Sequence, residues 1–320
     1  MSNQFAIGID IGGTNTVFGI VDARGTITYR GALSTRKHED INLYIDELYE
    51  ALQPAIEQSG GVSQIKGIGV GAPNGNYYTG TIEYAPNLQW KGIIHFTDMV
   101  TKRFGLPCAL TNDANAAAVG EMMYGAAKGM KDFIMITLGT GVGSGIVANG
   151  QLIYGHDGFA GELGHTIIIP GGRHHWGTGS YGSLEAYASA TGVVLTAKEF
   201  LANDNSPSLL RDIPAEELNS KAVYEAALKD DKIALAVYEY TGTILGKALA
   251  NFVMFSSPEA IILFGGLTKA GDMLINPTRK SMEANLLPIF RDKVKLIFSQ
   301  LNESDAAILG ASALVWELKG

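Results

Sequence analysis

Short unbroken apolar runs open the chain and recur near its middle. Residues 5–11 form the first and residues 16–22 the second, and after the turn Ala23-Arg24-Gly25 residues 26–33 continue as a third strand. Runs of this length bounded by glycine read as buried strands. The pair Gly12-Gly13 therefore links two strands of a hairpin. After Asp40 the spacing changes. Ile41, Ile45, Leu48, Leu52 and Ile56 recur at three and four, a helical face that Asp40 can cap. Pro54, which lacks an N–H, is expected to kink or end that helix. Residues 65–70 and 108–111 read as further strands and residues 114–124 as a helix, so the first half reads β-β-β-α-β-α-β-α, with a helix between the strands at 65–70 and 108–111. The second half repeats the theme: a strand at 133–138, a glycine turn, strands at 145–148 and 151–154, then helices at about 184–202, 219–229 and 231–256. A last strand at 260–264 runs into Gly265-Gly266, residues 203–219 read as a loop with at most one helical turn, and the last helix begins at Ala306. Strand, glycine loop, strand at the head of each half predicts two related α/β lobes around a central cleft, residues 1–117 plus 304–320 and residues 118–303.

Composition narrows the class. The chain has 320 residues, 46% of them hydrophobic, enough for two domains. A net charge of -8 with no basic block gives nucleic-acid binding no electrostatic support. The single Cys108 excludes an intramolecular disulfide framework. No signal-peptide pattern and no apolar run of about 18 residues is present, so a cytoplasmic protein with no membrane partner is expected. Forty glycines cluster at strand ends, as a ligand site lined by tight turns requires.

The chemistry sits at those turns. Exposed backbone N–H groups in glycine loops form anion-binding nests, and Thr14, Asn15, Thr140 and Ser144 add side-chain donors. Asp10 closes the first strand and suits Mg²⁺, which keeps several waters and few carboxylates. Either loop alone could equally be a plain hairpin; the two together, in matching strand context, favour the phosphate reading. Asp113, in Thr111-Asn112-Asp113, can accept a hydroxyl proton during phosphoryl transfer or serve as a helix cap. Asn112 can bind a polar ligand. Glu162, His165 and Glu185 could hydrogen-bond sugar hydroxyls or be structural. Zinc on His156, His165, His174 and His175 is the weaker alternative: no Cys lies nearby, and adjacent histidines point apart in an extended chain.

In this order the motifs resemble the ROK family (repressors, open reading frames and kinases) of the actin-like ATPase superfamily, over essentially the full length. Asp10-Ile-Gly12-Gly13-Thr14 resembles its first phosphate motif and Leu138-Gly139-Thr140-Gly141 its second; Leu263-Phe-Gly265-Gly266 resembles the adenosine motif. Asn112-Asp113-Ala-Asn115 resembles the catalytic-base segment, and Gly161-Glu162-Leu-Gly164-His165 with Leu184-Glu185 the sugar-binding segments. The resemblance implies a two-lobed, ribonuclease H-like α/β fold and an ATP- and Mg²⁺-dependent hexose kinase, an ATP:hexose 6-phosphotransferase. Asp113 would take the O6 proton, and Gly71, Asn87, Asn112, Glu162, His165 and Glu185 would bind the sugar. Asp10, Gly12, Gly13, Thr14, Asn15, Gly139, Thr140, Gly141, Gly265 and Gly266 would hold the nucleotide, with Asp10 meeting Mg²⁺ through water. The glucokinase branch is the nearest resemblance. N-acetylmannosamine, N-acetylglucosamine, mannose and fructose stay open as acceptors, as does a non-catalytic sugar-binding protein. A ROK-type regulator would need a DNA-binding segment ahead of the first strand. A homodimer or higher homo-oligomer is implied too. One departure is plain. Family members carry Cys-x-Cys-Gly-x-x-Gly-Cys-Leu-Glu, with three cysteines and a histidine on structural zinc. Trp176, Thr178 and Ser183 stand at the cysteine positions here, so no structural zinc is expected. The loop is expected to be held by Trp176 packing and hydroxyl hydrogen bonds.

Overall fold

The computed structural model describes residues 4–317. The first sheet begins with β1 (Phe5–Ile11), β2 (Asn15–Asp22) and β3 (Ile27–Ser34), an antiparallel meander. Helix α1 (Ile41–Gln58) follows, capped by the Asp40 carboxylate, which accepts the Asn42 N–H. The helix runs through Pro54 without ending there, contrary to one reading of that proline. Proline withdraws the hydrogen bond to the carbonyl four residues earlier, Glu50. Glu50 and Pro54 both lie on the exposed face, where water can solvate that carbonyl.

Strand β4 (Ile65–Gly71) lies parallel to β1. A small three-stranded sheet, β5 (Gly75–Asn76), β6 (Thr81–Glu83) and β7 (Ile93–Ile94), and helix α2 (Phe96–Phe104) come next. Strand β8 (Cys108–Thr111) pairs parallel with β4 and leads into α3 (Asp113–Tyr124). The second large sheet is built from β9 (Phe133–Leu138), β10 (Val142–Ala148) and β11 (Gln151–Leu152), with two later strands. The expected helix at 184–202 is two helices, α4 (Glu185–Ala188) and α5 (Ala190–Asn203), broken at Ser189, whose hydroxyl caps α5 by accepting the Gly192 N–H. Helices α6 (Ser220–Ala227) and α7 (Lys232–Ser256) lead to β12 (Ala260–Phe264). Then come α8 (Asp272–Asn285), β13 (Lys295–Phe298) and α9 (Glu303–Glu317), so the strand at 260–264 is not the last: β13, with four residues, pairs parallel to it. Residues 203–219 hold a single short 3₁₀ turn, Leu209–Asp212.

The strand orders reveal the internal repeat. One sheet reads β3-β2-β1-β4-β8 and the other β11-β10-β9-β12-β13. In each, the third, second, first, fourth and fifth large-sheet strands of that half stand side by side, and the first two are joined by a glycine turn. Clustering of the fold gives two compact units: Met1–Met130 with Gly145–Gly161 and Ser299–Gly320, and Lys131–Ser144 with Glu162–Phe298. Among the described residues no helix is long and apolar enough to cross a membrane.

In the first unit, α1 and α2 pack against a core of Ile7, Ile9, Phe18, Tyr44, Leu48, Leu52, Ile68 and Phe96. On the opposite side α9 lies directly on β1 and β4. A Cβ at Gly8 would collide with the Ile308 carbonyl oxygen, and one at Gly69 with that of Ala311. The two glycines let a helix backbone touch a sheet backbone, which no side-chain-bearing residue permits at these positions.

Candidate active site

In the first unit, parallel pairing aligns the carboxyl ends of three strands. Asp10 of β1 is in register with Gly71 of β4, and Gly71 with Thr111 of β8. Asp10, Gly71 and the segment 111–113 therefore stand side by side, where α/β sheets place their ligands. A Cβ at Gly71 would lie 3.2 Å from Asp10 Oδ1 and 3.6 Å from Asp113 Cα. Glycine there lets the strand end approach both acidic residues.

The helix cap is Asn112, not Asp113. Asn112 has extended backbone, and its Oδ1 accepts the Asn115 N–H at 2.7 Å. This leaves its amide hydrogens to donate elsewhere. Asp113 is the first helical residue. Its Oδ1 accepts the Ala114 N–H at 2.9 Å, and solvent still reaches its side chain. Desolvation by surrounding protein raises its pKa above the usual carboxylate range. Asp10 is raised from 3.8 to about 7, first by burial and then by the Asp113 charge. Among the described residues it accepts no hydrogen bond from a protein group. A recessed carboxylate without a protein donor suits a hydrated Mg²⁺, which prefers few carboxylates and would supply the missing positive charge.

The turn above Asp10 closes with the Gly12 N–H donating to the Asn15 carbonyl at 3.0 Å. The side chains of Thr14 and Asn15 are exposed, whereas Thr16 is buried and bonded to Thr35 Oγ1 (2.9 Å) and Tyr44 Oη (2.8 Å). Those contacts anchor the start of β2. Asn87 lies against the same turn: a Cβ at Gly13 would stand 3.0 Å from the Asn87 carbonyl oxygen. Arg36 Nε also donates to the Gly13 carbonyl at 2.8 Å, placing on the loop a cation that the motif pattern did not single out.

In the second unit, the turn after β9 is tied from several sides. The Gly139 N–H donates to the Gly141 carbonyl, and the Gly143 N–H to Thr137 Oγ1 at 3.1 Å. The Ala190 N–H donates to the Gly139 carbonyl, and Thr191 Oγ1 to the Thr140 carbonyl. Glu185 Oε2 accepts the Val142 N–H at 2.7 Å and lies so close to Gly141 that a Cβ there would strike it. Thr140 itself is exposed. Gly265, at φ +105, lies against Leu138: a Cβ would stand 2.7 Å from the Leu138 carbonyl oxygen. Gly266 opens the 3₁₀ turn that follows. The adenosine-type pair thus adjoins the strand end that enters the second phosphate-type turn.

Glu162 and His165 flank a 3₁₀ turn, with His165 Nε2 3.7 Å from Glu162 Oε2. His175 Nε2 lies 2.9 Å from Glu185 Oε1, and the His165 and His175 rings are 6.4 Å apart. The unit therefore gathers Glu162, His165, Glu185, Gly139–Gly141 and Gly265-Gly266, and adds His175, which the sequence reading had weighed only as a metal ligand.

The expected packing role of Trp176 is not seen. Its side chain is 88% exposed and makes only an edge contact with His174. The loop is anchored instead by Arg173. Its guanidinium donates to both Glu199 oxygens (2.9 and 2.7 Å), to Thr196 Oγ1 and to the Ala186 and Gly192 carbonyls, and lies 4.5 Å over the Tyr187 ring. Hydroxyl bonding is present further along, where Thr178 Oγ1 is 3.0 Å from His175 Nδ1 and 2.7 Å from Ser180 Oγ. Among the described residues no three His, Cys, Asp or Glu side chains converge on a metal-binding geometry. Ser183 Oγ is buried without a hydrogen-bond partner, and hydroxyls do not replace thiolates on tetrahedral zinc. The residues present do not fit that metal.

Asp10 gives a pH-dependent stability. Its folded pKa lies above its unfolded value, so over that interval the native state keeps a proton the unfolded chain has lost. Stability therefore falls as pH rises from 3.8 towards about 7 and then levels. Asp10→Asn should raise stability by about 2 kcal/mol at pH 8 and by little at pH 4, roughly half the full linkage because water partly reaches the carboxyl. Urea denaturation of both proteins without Mg²⁺ at the two pH values measures this; an equal difference at both would contradict it.

The model of the family described as "ROK family" matches residues 6–317. The chain belongs to the ROK family. Among ROK-related proteins it is similar to a glucokinase of Halalkalibacterium halodurans, 36% identical over 98% of this chain and 96% of that protein. It is also similar to a glucokinase of Thermotoga maritima, 33% identical over 98% of each. A ROK family glucokinase from Streptomyces griseus, solved in complex with glucose and AMPPNP, superposes with a TM-score of 0.79 at 34% identity, covering 97% of this chain and 98% of that one. The ROK two-lobed, actin-like α/β fold agrees with the paired five-stranded sheets.

Proposed function

We propose that the chain is an ATP-dependent hexose kinase that phosphorylates the 6-hydroxyl of glucose. The observation that carries the reading is the Asp10–Gly71–Asp113 arrangement at the ends of β1, β4 and β8, in a chain related over nearly its full length to glucokinases. Transfer of a phosphoryl group asks the protein for positioning, charge stabilisation and a proton acceptor. Asp113 takes the O6 proton as O6 bonds to the γ-phosphorus and the bond to the β–γ bridging oxygen breaks, leaving ADP. Desolvation raises its pKa, which makes the carboxylate a stronger proton acceptor than a fully solvated one.

Each other residue has one role in this reading. Asn112 donates its free amide hydrogens to the sugar, and Gly71 and Asn87 border it from β4 and from the segment over Gly13. Glu162, His165 and Glu185 bind the remaining hydroxyls. Gly12, Gly13, Thr14 and Asn15, with Gly139, Thr140 and Gly141, receive the phosphates through backbone N–H groups and side-chain hydroxyl or amide donors. Gly265 and Gly266 flank adenosine without side-chain bulk. Asp10 would hold Mg²⁺ through water; when bound, the ion neutralises phosphate charge. An ATP-coupled assay over glucose, mannose, fructose, N-acetylglucosamine and N-acetylmannosamine should give its highest kcat/KM with glucose. A higher value with either N-acetylhexosamine would reassign the substrate, and no turnover with any sugar would remove the kinase reading.

A further inference from the structure

The loop that lacks zinc ligands contains a different device for holding Glu185. Glu185 Oε2 is fixed by the Val142 N–H at 2.7 Å, and Oε1 lies 2.9 Å from His175 Nε2. An ionised carboxylate can only accept, so Nε2 carries the proton that points at it. In the neutral ring Nδ1 is then an acceptor, and Thr178 Oγ1, 3.0 Å away, must donate to it. That frees Thr178 Oγ1 to accept from Ser180 Oγ at 2.7 Å. The series of bonds runs in one direction, Ser180 to Thr178 to His175 to Glu185, with every hydroxyl and ring nitrogen used.

The backbone fixes the ring as well. The His175 N–H donates to the Ser180 carbonyl at 2.8 Å, and the Gly179 N–H returns to the His175 carbonyl at 2.8 Å. Gly179 has φ +71, which suits glycine in this closed turn. A Cβ at position 177 would stand 3.1 Å from His175 Cε1, so Gly177 backs the imidazole. Both side chains are largely buried, at 20% and 14% exposure, where a charge-assisted bond is less screened than at the surface.

We propose that His175 is a positioning residue for hexose binding. Through Nε2 it orients the Glu185 carboxylate, and Thr178 selects the tautomer that makes this possible. With one bond on each oxygen from the protein, Glu185 keeps lone pairs that can accept from two neighbouring sugar hydroxyls. The proposal rests on the assignment of Glu185 to the sugar in the kinase reading above.

The test compares wild type with His175→Ala, His175→Gln and Thr178→Val, measuring glucose Kd by calorimetry, KM for glucose and ATP, and kcat. Losing a hydrogen bond to a charged group should weaken glucose binding by about tenfold or more in His175→Ala. The KM for ATP should stay within about twofold. His175→Gln, whose amide nitrogen can reach Oε1, should recover most of the affinity, and Thr178→Val should fall between. Dialysis of wild type against a strong chelator should leave the glucose Kd unchanged. Glucose affinity in His175→Ala equal to wild type would overturn the proposal, as would one tightly held zinc per chain whose removal abolishes binding. Should His175→Ala fail to fold, His175→Gln and Thr178→Val decide it: near-wild-type binding in the first with weakened binding in the second supports it, and the reverse overturns it. Wild-type protein that neither binds nor phosphorylates any hexose is the separate result that removes the kinase reading, and this role for His175 with it.

Discussion

Asp113→Asn lowers kcat for glucose phosphorylation by about 10³-fold, within the 10²–10⁴ span of general-base contributions, while the KM for glucose changes little. The substitution is nearly isosteric. The Asn carbonyl oxygen can still accept the Ala114 N–H, and Asn112 still caps α3 through Asn115. What the substitution removes is the proposed acceptor for the O6 proton. The protein should not lose stability, because a carboxylate whose pKa is raised by desolvation opposes folding at neutral pH. The Asp10 pKa should fall as well, since the Asp113 charge contributes to its elevation. Stopped-time assays of ADP release, calorimetric glucose binding and a pH titration of Asp10 measure the three effects together. A fall in kcat of less than tenfold, with glucose binding intact, would remove Asp113 from the base role.

Gly69→Ala should be the most destabilising single-methyl change in the first unit, about 3 kcal/mol or more. Inserting a methylene into a well-packed core typically costs about 1–3 kcal/mol because neighbours can shift. At Gly69 the obstacle is backbone: the added Cβ would overlap the Ala311 carbonyl oxygen and also crowd Val315. Helix α9 must lift off β4 as a whole, parting contacts of Ile308, Ala311 and Val315, all buried. Chemical denaturation followed by circular dichroism reads the loss as a lower midpoint at unchanged slope. A midpoint equal to that of wild type would show that α9 is free to move.

Legibility in the sequence followed the strength of local pattern. The strands carrying the two glycine turns are unbroken apolar runs, and Asp113 follows another, so the large sheets and the acidic pair could be read directly. Helix α2 stands where the order β-β-β-α-β-α-β-α places a helix, but it is nine residues long, and its buried positions, Phe96, Val100 and Phe104, make only one short stripe from which its bounds cannot be read. Helix α8 contains Pro277, and its exposed residues outweigh its buried face. Strand β13 has only four residues and one that is fully buried, Leu296. None of these carries a periodicity long enough to separate from its flanks. In the candidate site, the anchors missed were long-range. Arg173 meets Glu199 across 26 positions, a pairing no window on the sequence contains. Trp176 was given a packing role on the size of its side chain, yet a tight turn sustained by backbone bonds leaves that ring in water.

The matching strand orders of the two large sheets put Asp10 and Thr137 in the same architectural slot, each near the end of the strand that enters a glycine turn. Their occupants have diverged. Thr137 spends its hydroxyl inward, accepting the Gly143 N–H of its own turn, whereas Asp10 keeps its carboxylate clear of protein donors. If the halves descend from one duplicated ancestor, one copy has turned its polar side chain onto its own turn and the other has not. The repeat is thus one of backbone order and not of chemistry: the same scaffold position serves bracing in one half and leaves an acid unbraced in the other.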